Sequence, residues 1–215
     1  MIRQKQTRRI AKLAILLYLL APLSSCGPLF PSSEETRQFF VIEDDYSLPS
    51  NLPTRTNLNI LVRDTKANRF INSDSIIFAE DNNTRGKYQL AQWVEPPTRR
   101  VGAMLLARLD RSGVFQSVTH ITTATIAEYQ LNAEISEFYH DVSDPPGLSK
   151  ISIQVELVDL RTRSIVARNE FSSSVPAGSY SAKGAVEGLT KGVNSLLNEI
   201  VLWTTSSLHK LAQPQ

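Results

Sequence analysis

The sequence predicts an α+β domain: a mainly antiparallel sheet with two amphipathic helices packed on one of its faces. Three observations point to this class. Short runs of alternating apolar and polar residues precede a first helix-like segment, three long runs of the same kind follow it, and a second helix-like segment closes the chain. Strands and helices that are grouped in this way, without regular alternation, are typical of α+β folds.

Four strands are expected before the first helix. Their sequences are QFFVIED (38–44), LNILVRD (58–64), SIIFAED (75–81) and GKYQLAQW (86–93). In the second, apolar residues alternate with polar ones, which is typical of a half-buried strand. The stretch DNNTRG separates the last two of these strands and is predicted to form a turn.

The first helix is predicted over residues 95–113. Pro96 and Pro97 are tolerated in a first helical turn, and Gly113 is a typical C-terminal stop. The apolar stripe consists of Val101, Met104, Leu105 and Leu109. A short strand, VFQSVTH, is expected directly afterwards.

Three long strands form the second half of the predicted sheet, at 127–142, 149–160 and 164–175. The turn-forming sequences DPPG and RTRS connect them. Because strands that are adjacent in sequence usually pair, an antiparallel meander is expected.

The last helix is predicted over residues 181–203, with Ser179 or Ser181 as its N-cap. Apolar residues recur along it at steps of four and three: Ala182, Val186, Leu189, Val193, Leu196, Ile200 and Trp203. Such a stripe packs on the sheet of the same chain or on a helix of a second subunit, and the first arrangement is favoured.

The N-terminus has the pattern of a lipoprotein signal. Five basic residues precede the apolar run Leu13–Leu20, which is too short to span a bilayer. Leu23 and two serines then precede Cys26, the only cysteine of the chain. We expect general secretion rather than the twin-arginine route, cleavage before Cys26 and lipidation of its thiol, because several acyl chains hold a protein at a membrane durably. The alternative is an ordinary cysteine behind a cleaved signal.

Three regions follow from this pattern. Residues 1–25 are the predicted signal peptide, 26–36 a lipidated tether rich in Pro, Ser and Glu, and 37–215 a single α+β domain. Loss of the signal removes five of the 23 basic residues, so 18 remain against 21 acidic ones. Nucleic acid is therefore not an expected partner.

No pattern of catalytic, metal-binding or cofactor-binding residues is found in the sequence. His120, His140 and His209 are far apart, and no nucleophile elbow or phosphate-binding loop is present. With Cys26 acylated, no thiol is left for chemistry. We therefore expect that the protein is not an enzyme. Tyr88 and Trp93 are interpreted as buried aromatic residues rather than as a platform for a hydrophobic ligand.

The ordered features together resemble the ABC-type transport auxiliary lipoproteins. The similarity extends over nearly all of the mature chain. Its most specific part is the segment with Tyr88, Trp93 and Pro96 that leads into a helix ending in L-x-x-S-G-x-F at Leu109–Phe115. The polar stretch KANRFINSD (66–74) departs from the more apolar sequence expected of the family.

This resemblance implies a role in the transport of lipid or another hydrophobic solute across the periplasm. The implied partners are a periplasmic protein of the mammalian-cell-entry type, an ABC permease and its ATPase, and the membrane through the lipid anchor; a homo-oligomer is left open. Gly27, which is not an aspartate, implies sorting to the periplasmic face of the outer membrane by analogy with Gram-negative lipoproteins. The chain would act as a docking subunit, or alternatively as a periplasmic carrier that holds an acyl chain itself.

Overall fold

A computed structural model describes residues 36–212. Nine strands and two helices make up this region. In chain order they are β1 (Gln38–Phe40), β2 (Asn59–Val62), β3 (Lys66–Ala67), β4 (Ser75–Ala79), β5 (Gly86–Trp93), α1 (Pro97–Arg111), β6 (Ser117–His120), β7 (Tyr129–Asp141), β8 (Leu148–Asp159), β9 (Ser164–Pro176) and α2 (Ala182–Ala212).

The central strand of the sheet is β7. Strand β8 pairs with it antiparallel from end to end, and β9 pairs antiparallel with β8, as predicted for the meander. On its other side β7 pairs in succession with β2, β3 and β4, all parallel to it. Strand β6 lies outside β2, and β5 followed by β1 lies outside β4.

The α+β class is confirmed, and the longest pairings are antiparallel. The parallel pairings of β1, β2, β3, β4 and β6 were not predicted, because they join strands that are distant in sequence. Strand β3 was not predicted either. It consists of two residues inside the polar stretch 66–74, which is too short for an alternating pattern.

Helix α1 spans Pro97–Arg111, two residues shorter at each end than predicted. Pro97 is its first residue, where a missing N–H costs nothing. Gly113, just beyond its end, has φ +67°, a conformation that glycine adopts without strain. Val101, Met104, Leu105 and Leu109 are all buried, so the predicted stripe faces the core.

Helix α2 lies against β8 and β9 and contacts α1, so both helices cover the same face of the sheet. Ser181 is its N-cap, since its Oγ accepts a hydrogen bond of 3.3 Å from the Gly184 N–H. Val186, Leu189 and Val193 are buried among the core residues of the sheet. The interpretation that this helix packs within its own chain is therefore supported.

Gly188 lets α2 approach the sheet closely. A Cβ at this position would overlap the side chain of Ser149, whose Oγ is buried and donates a 3.0 Å hydrogen bond to the Ala185 carbonyl. Gly188→Val is therefore expected to lower the free energy of unfolding by about 1–3 kcal/mol through overpacking, which chemical denaturation would measure. Lys191→Val, on the exposed side of the same helix, is the control and is expected to cost about 0.5 kcal/mol. Equal losses in the two variants would contradict this packing.

Candidate functional site

Cys26, the predicted lipidation site, lies outside the described residues. The same holds for the signal segment and for residues 26–35 of the tether. Lipidation at Cys26 therefore remains a prediction from the sequence.

The most unusual feature of the described residues is a fully buried arginine, Arg108. Its guanidinium donates hydrogen bonds to Asp44, through Nε at 3.1 Å and through Nη2, and to Asp45 at 2.9 Å. On the side of α2, Nη1 donates to the Asn198 Oδ1 at 2.7 Å, and Nη2 donates to the Asn194 Oδ1 as well. A buried charge is tolerated only when it is paired and hydrogen-bonded in this way.

The arginine cluster, Arg108 with Asp44, Asp45, Asn194 and Asn198, joins three parts of the chain. Arg108 belongs to α1, the two asparagines to α2, and the two aspartates to the segment after β1. The Asn194 Nδ2 also donates to the Glu43 carbonyl at 2.9 Å. Residues 43–45, which follow β1, are thereby held against both helices, and we call them the post-tether segment.

The pKa of Asp45 is consistent with an ionised carboxylate beside Arg108. Burial raises the pKa of its carboxyl, but hydrogen bonds from the Ser47 backbone and side chain, together with the charge of Arg108, outweigh that effect and lower the pKa overall. Asp45 therefore stays ionised opposite the guanidinium at neutral pH.

A second polar cluster surrounds His140, which is fully buried. Its Nε2 lies 3.0 Å from the Pro146 carbonyl and must donate, so Nδ1 accepts from the Tyr88 hydroxyl at 2.8 Å. Burial lowers the pKa of His140, against smaller opposing effects of Pro146 and Asp141. Burial and the nearby Tyr180 raise the pKa of Tyr88 to about 12. The ring is thus held neutral as a structural contact.

Neither Tyr88 nor Trp93 is available as a platform for a hydrophobic ligand. Trp93 is buried, with its ring centroid 6.0 Å from that of Phe138. Tyr88 is half-buried, and its hydroxyl faces His140. The interpretation of both as packing residues is supported.

The three histidines do not come together. His120 lies at the end of β6, with its Nε2 2.9 Å from the Asp64 Oδ1, whereas His209 belongs to the last turn of α2. Within residues 36–212, no group of three His, Cys, Asp or Glu side chains could hold a metal ion.

A cleft of about 540 Å³ lies between α1 and the ends of β2 and β6. Charged and polar residues such as Arg63, Asp64, Arg99 and His120 share its wall with the apolar Val62 and Leu106. A second cleft, of about 440 Å³, mixes Arg69, Arg85 and Glu137 with Phe70 and Ile77. In both clefts charged side chains therefore stand beside apolar ones.

Most of these features lie in the part of the chain that matches a known protein family. The family is described as ABC-type transport auxiliary lipoprotein component, and the match covers residues 45–201. The chain belongs to this family. It is therefore a membrane-anchored lipoprotein component associated with ABC-type transport, as its sequence predicted.

Solved structures agree on the fold of this auxiliary lipoprotein. Protein XCC0632 from Xanthomonas campestris, of family-model DUF330, is similar with a TM-score of 0.76 and 18% identity, over 82% of this chain and 100% of that one. Protein CT253 from Chlamydia trachomatis has a TM-score of 0.50 and 13% identity, over 71% and 98%. At these identities the likeness shows the fold alone. None of the curated proteins compared with the chain matches it.

The family match covers most, but not all, of the folded domain of this auxiliary lipoprotein. Arg108 and the two asparagines of its cluster fall inside residues 45–201, whereas Cys26 and β1 precede it. Within the described residues, no helix is long and apolar enough to cross a membrane.

On the sheet of this auxiliary lipoprotein, Asp141 and Lys150 form an ion pair between β7 and β8, with 2.7 Å between Oδ2 and Nζ. The hydrogen bond from Lys150, followed by that from Ser143, lowers the pKa of Asp141 to about 2. Because the folded-state pKa is depressed, the stabilisation is present above the usual value of 3.8 and is lost as the pH falls towards 2.

Lys150→Met is expected to raise the pKa of Asp141 part of the way to 3.8, since the bonds from Ser143 remain. A carboxyl NMR titration measures this pKa. Arg168→Met, which removes the partner of Glu156 instead, is the control and is expected to leave Asp141 unchanged. An unchanged pKa in Lys150→Met would show that the ion pair does not form in solution.

Proposed function

We propose that the chain is an auxiliary lipoprotein that docks an ABC transport system of the mammalian-cell-entry type at the periplasmic face of the outer membrane. The transported material is a lipid or another hydrophobic solute. The chain itself is not an enzyme in this proposal. Other chains supply the ATPase, the permease and the periplasmic mammalian-cell-entry protein.

The observation that carries the proposal is the family match over residues 45–201. The predicted lipobox before Cys26 supports the anchor, and Gly27 supports the choice of the outer membrane. An anchored domain raises the local concentration of its partners at one membrane, a role that needs binding surfaces but no active site. The arginine cluster holds the post-tether segment on both helices, so the chain enters the domain at a defined place on its surface.

The alternative function is that of a periplasmic carrier that holds an acyl chain itself. Such a protein needs a largely apolar cavity of roughly 300–1,000 Å³. The cleft beside α1 has a suitable volume, about 540 Å³, but its wall contains two arginines, an aspartate and a histidine. A bound acyl chain would have to exclude water from these charged groups, and this cost favours docking over carrying.

A homo-oligomer is compatible with the docking role. Strand β9 spans 13 residues at the edge of the sheet and pairs only with β8 within the described residues, so its outer backbone groups are available to another chain.

Affinity purification of the tagged full-length protein in mild detergent tests the proposal. We expect recovery of a mammalian-cell-entry-type protein with an ABC permease and ATPase, and recovery of an untagged second copy if the chain oligomerises. Separation of inner from outer membranes by density shows which of the two membranes holds the protein. Recovery of none of the transporter subunits, together with about one extractable lipid per chain, would replace the docking function by the carrier function.

A further inference from the structure

Four large apolar side chains are exposed at the β1 edge of the sheet. Phe39 is 63% exposed, Val41 44%, Leu90 43% and Val94 62%. Phe39 belongs to β1 and Leu90 to β5, whereas Val41 and Val94 directly follow these two strands. We call these four residues the edge patch.

The strand register places the edge patch on one face of the sheet. β1 runs parallel to β5 with Phe39 opposite Gln92 and Phe40 opposite Trp93. Since side chains alternate along a strand, Phe39 and Val41 share a face with Leu90 and Val94, around the half-buried Gln92. The Val94 N–H, which donates to the Phe40 carbonyl at 2.9 Å, continues this pairing past the end of β5.

The edge patch is not the exposed margin of the core. The core residues of the same two strands, Phe40, Ala91 and Trp93, stand at the alternate positions and pack on the opposite face. Single exposed apolar side chains are common on protein surfaces, whereas a group of four is typical of a contact surface.

The position of the edge patch in the chain indicates what it contacts. Only eleven residues, 27–37, separate Cys26 from the start of β1. Fully extended, they reach at most about 40 Å, so an anchored Cys26 keeps β1, the first described element after the tether, within that distance of the membrane. Arg37, exposed beside the patch, matches the negative charge of lipid phosphates.

We propose that the edge patch rests on the lipid surface of the membrane that holds Cys26, as a second contact beside the covalent anchor. This inference rests on the lipid anchor of the proposed function. Phe39 and Val94, the most exposed members, enter the boundary between headgroups and acyl chains. The contact orients the sheet, so that the opposite end of the molecule faces away from the membrane.

A fluorescent probe at position 94 tests this proposal in the anchored full-length protein. Cys26 is the only cysteine of the chain and its thiol is consumed by lipidation, so Val94→Cys offers a single site for a nitrobenzoxadiazole label. Ile126→Cys is the matched control, because Ile126 is 90% exposed in the connection between β6 and β7. Both proteins are reconstituted in vesicles of phosphatidylethanolamine and phosphatidylglycerol, and circular dichroism compares their fold with that of the wild type.

We expect the emission at position 94 to move to shorter wavelength and to be quenched about twofold or more by spin-labelled lipid, since the probe then lies about 5–10 Å into the interface. Position 126 is expected to show neither change. If the protein floats with the vesicles but the probe at position 94 shows no change, the proposed membrane contact of the edge patch is wrong and the lipid anchor is not affected. A shift that grows with protein density and is insensitive to the lipid quencher identifies a second copy as the occupant and also overturns the membrane contact. If the protein does not float with the vesicles, both the lipid anchor and the membrane contact of the edge patch are wrong.

Discussion

Arg108→Met is expected to lower the free energy of unfolding by about 3–5 kcal/mol, the typical cost of removing one partner of a buried ion pair. Methionine keeps much of the side-chain length but leaves the buried Asp44 carboxylate without the guanidinium. Asn198 loses the Arg108 donor to its side-chain oxygen, whereas the Asn194 oxygen keeps only the bond from the Asp45 N–H. Chemical denaturation of the mature domain, monitored by circular dichroism, measures the loss.

Arg111→Met is the matched control for this substitution. Arg111 lies on the same helix and contacts the other oxygen of Asp44 at 3.3 Å, but its side chain is 34% exposed. An ion pair with an exposed partner contributes about 0–1 kcal/mol, so the control is expected to remain nearly as stable as the wild type. Similar stabilities for the two variants would show that Arg108 is hydrated in solution and that the cluster does not fix the post-tether segment.

Cys26→Ala is expected to release the protein from the membrane altogether. Without the thiol, no thioether can form, so the covalent acyl anchor is lost. Two or more acyl chains hold a protein durably, whereas the edge patch alone buries only a few side chains. Fractionation of cells into membrane and soluble parts measures the effect, and metabolic labelling with palmitate reports the modification directly.

Ser25→Ala is the matched control for Cys26→Ala, because alanine is also small and preserves the pattern before the cysteine. It is expected to leave both palmitate labelling and membrane association intact. Retention of the Cys26→Ala protein in the membrane after a carbonate wash would mean that another part of the chain anchors it.

Much of the fold could be predicted because it is encoded locally. The meander of β7, β8 and β9 follows from alternating residues and from the two turns between the strands, and α1 follows from Pro97, its apolar stripe and Gly113. The parallel pairing of β7 with β2, β3 and β4 depends on contacts between residues more than fifty positions apart, for which a single sequence gives no signal.

The arginine cluster was missed, although the sequence contained a sign of it. Residues 101, 104, 105 and 108 follow the i, i+3, i+4, i+7 spacing of one helix face, so Arg108 occupies a position on the apolar stripe. A charged residue at such a position needs buried partners. Only the tertiary structure shows which residues these partners are. Asp44 and Asn194, for example, lie 64 and 86 residues away from Arg108 in the sequence.

The start of α2 could be predicted, since Ser181 caps it, but the role of a glycine inside the helix could not. Gly188, however, serves a tertiary contact, the close approach to Ser149 on β8. Helix and strand patterns do not reveal such an approach, because they describe each element by itself.

Native mass spectrometry of the complex released in mild detergent tests the central claim most directly, because one spectrum reports both protein partners and bound lipid. The account predicts that the chain, carrying only its covalent acyl groups, is found together with a mammalian-cell-entry-type protein or the ABC subunits. A chain that is found without these partners and with a noncovalent lipid would contradict the docking function and identify a carrier.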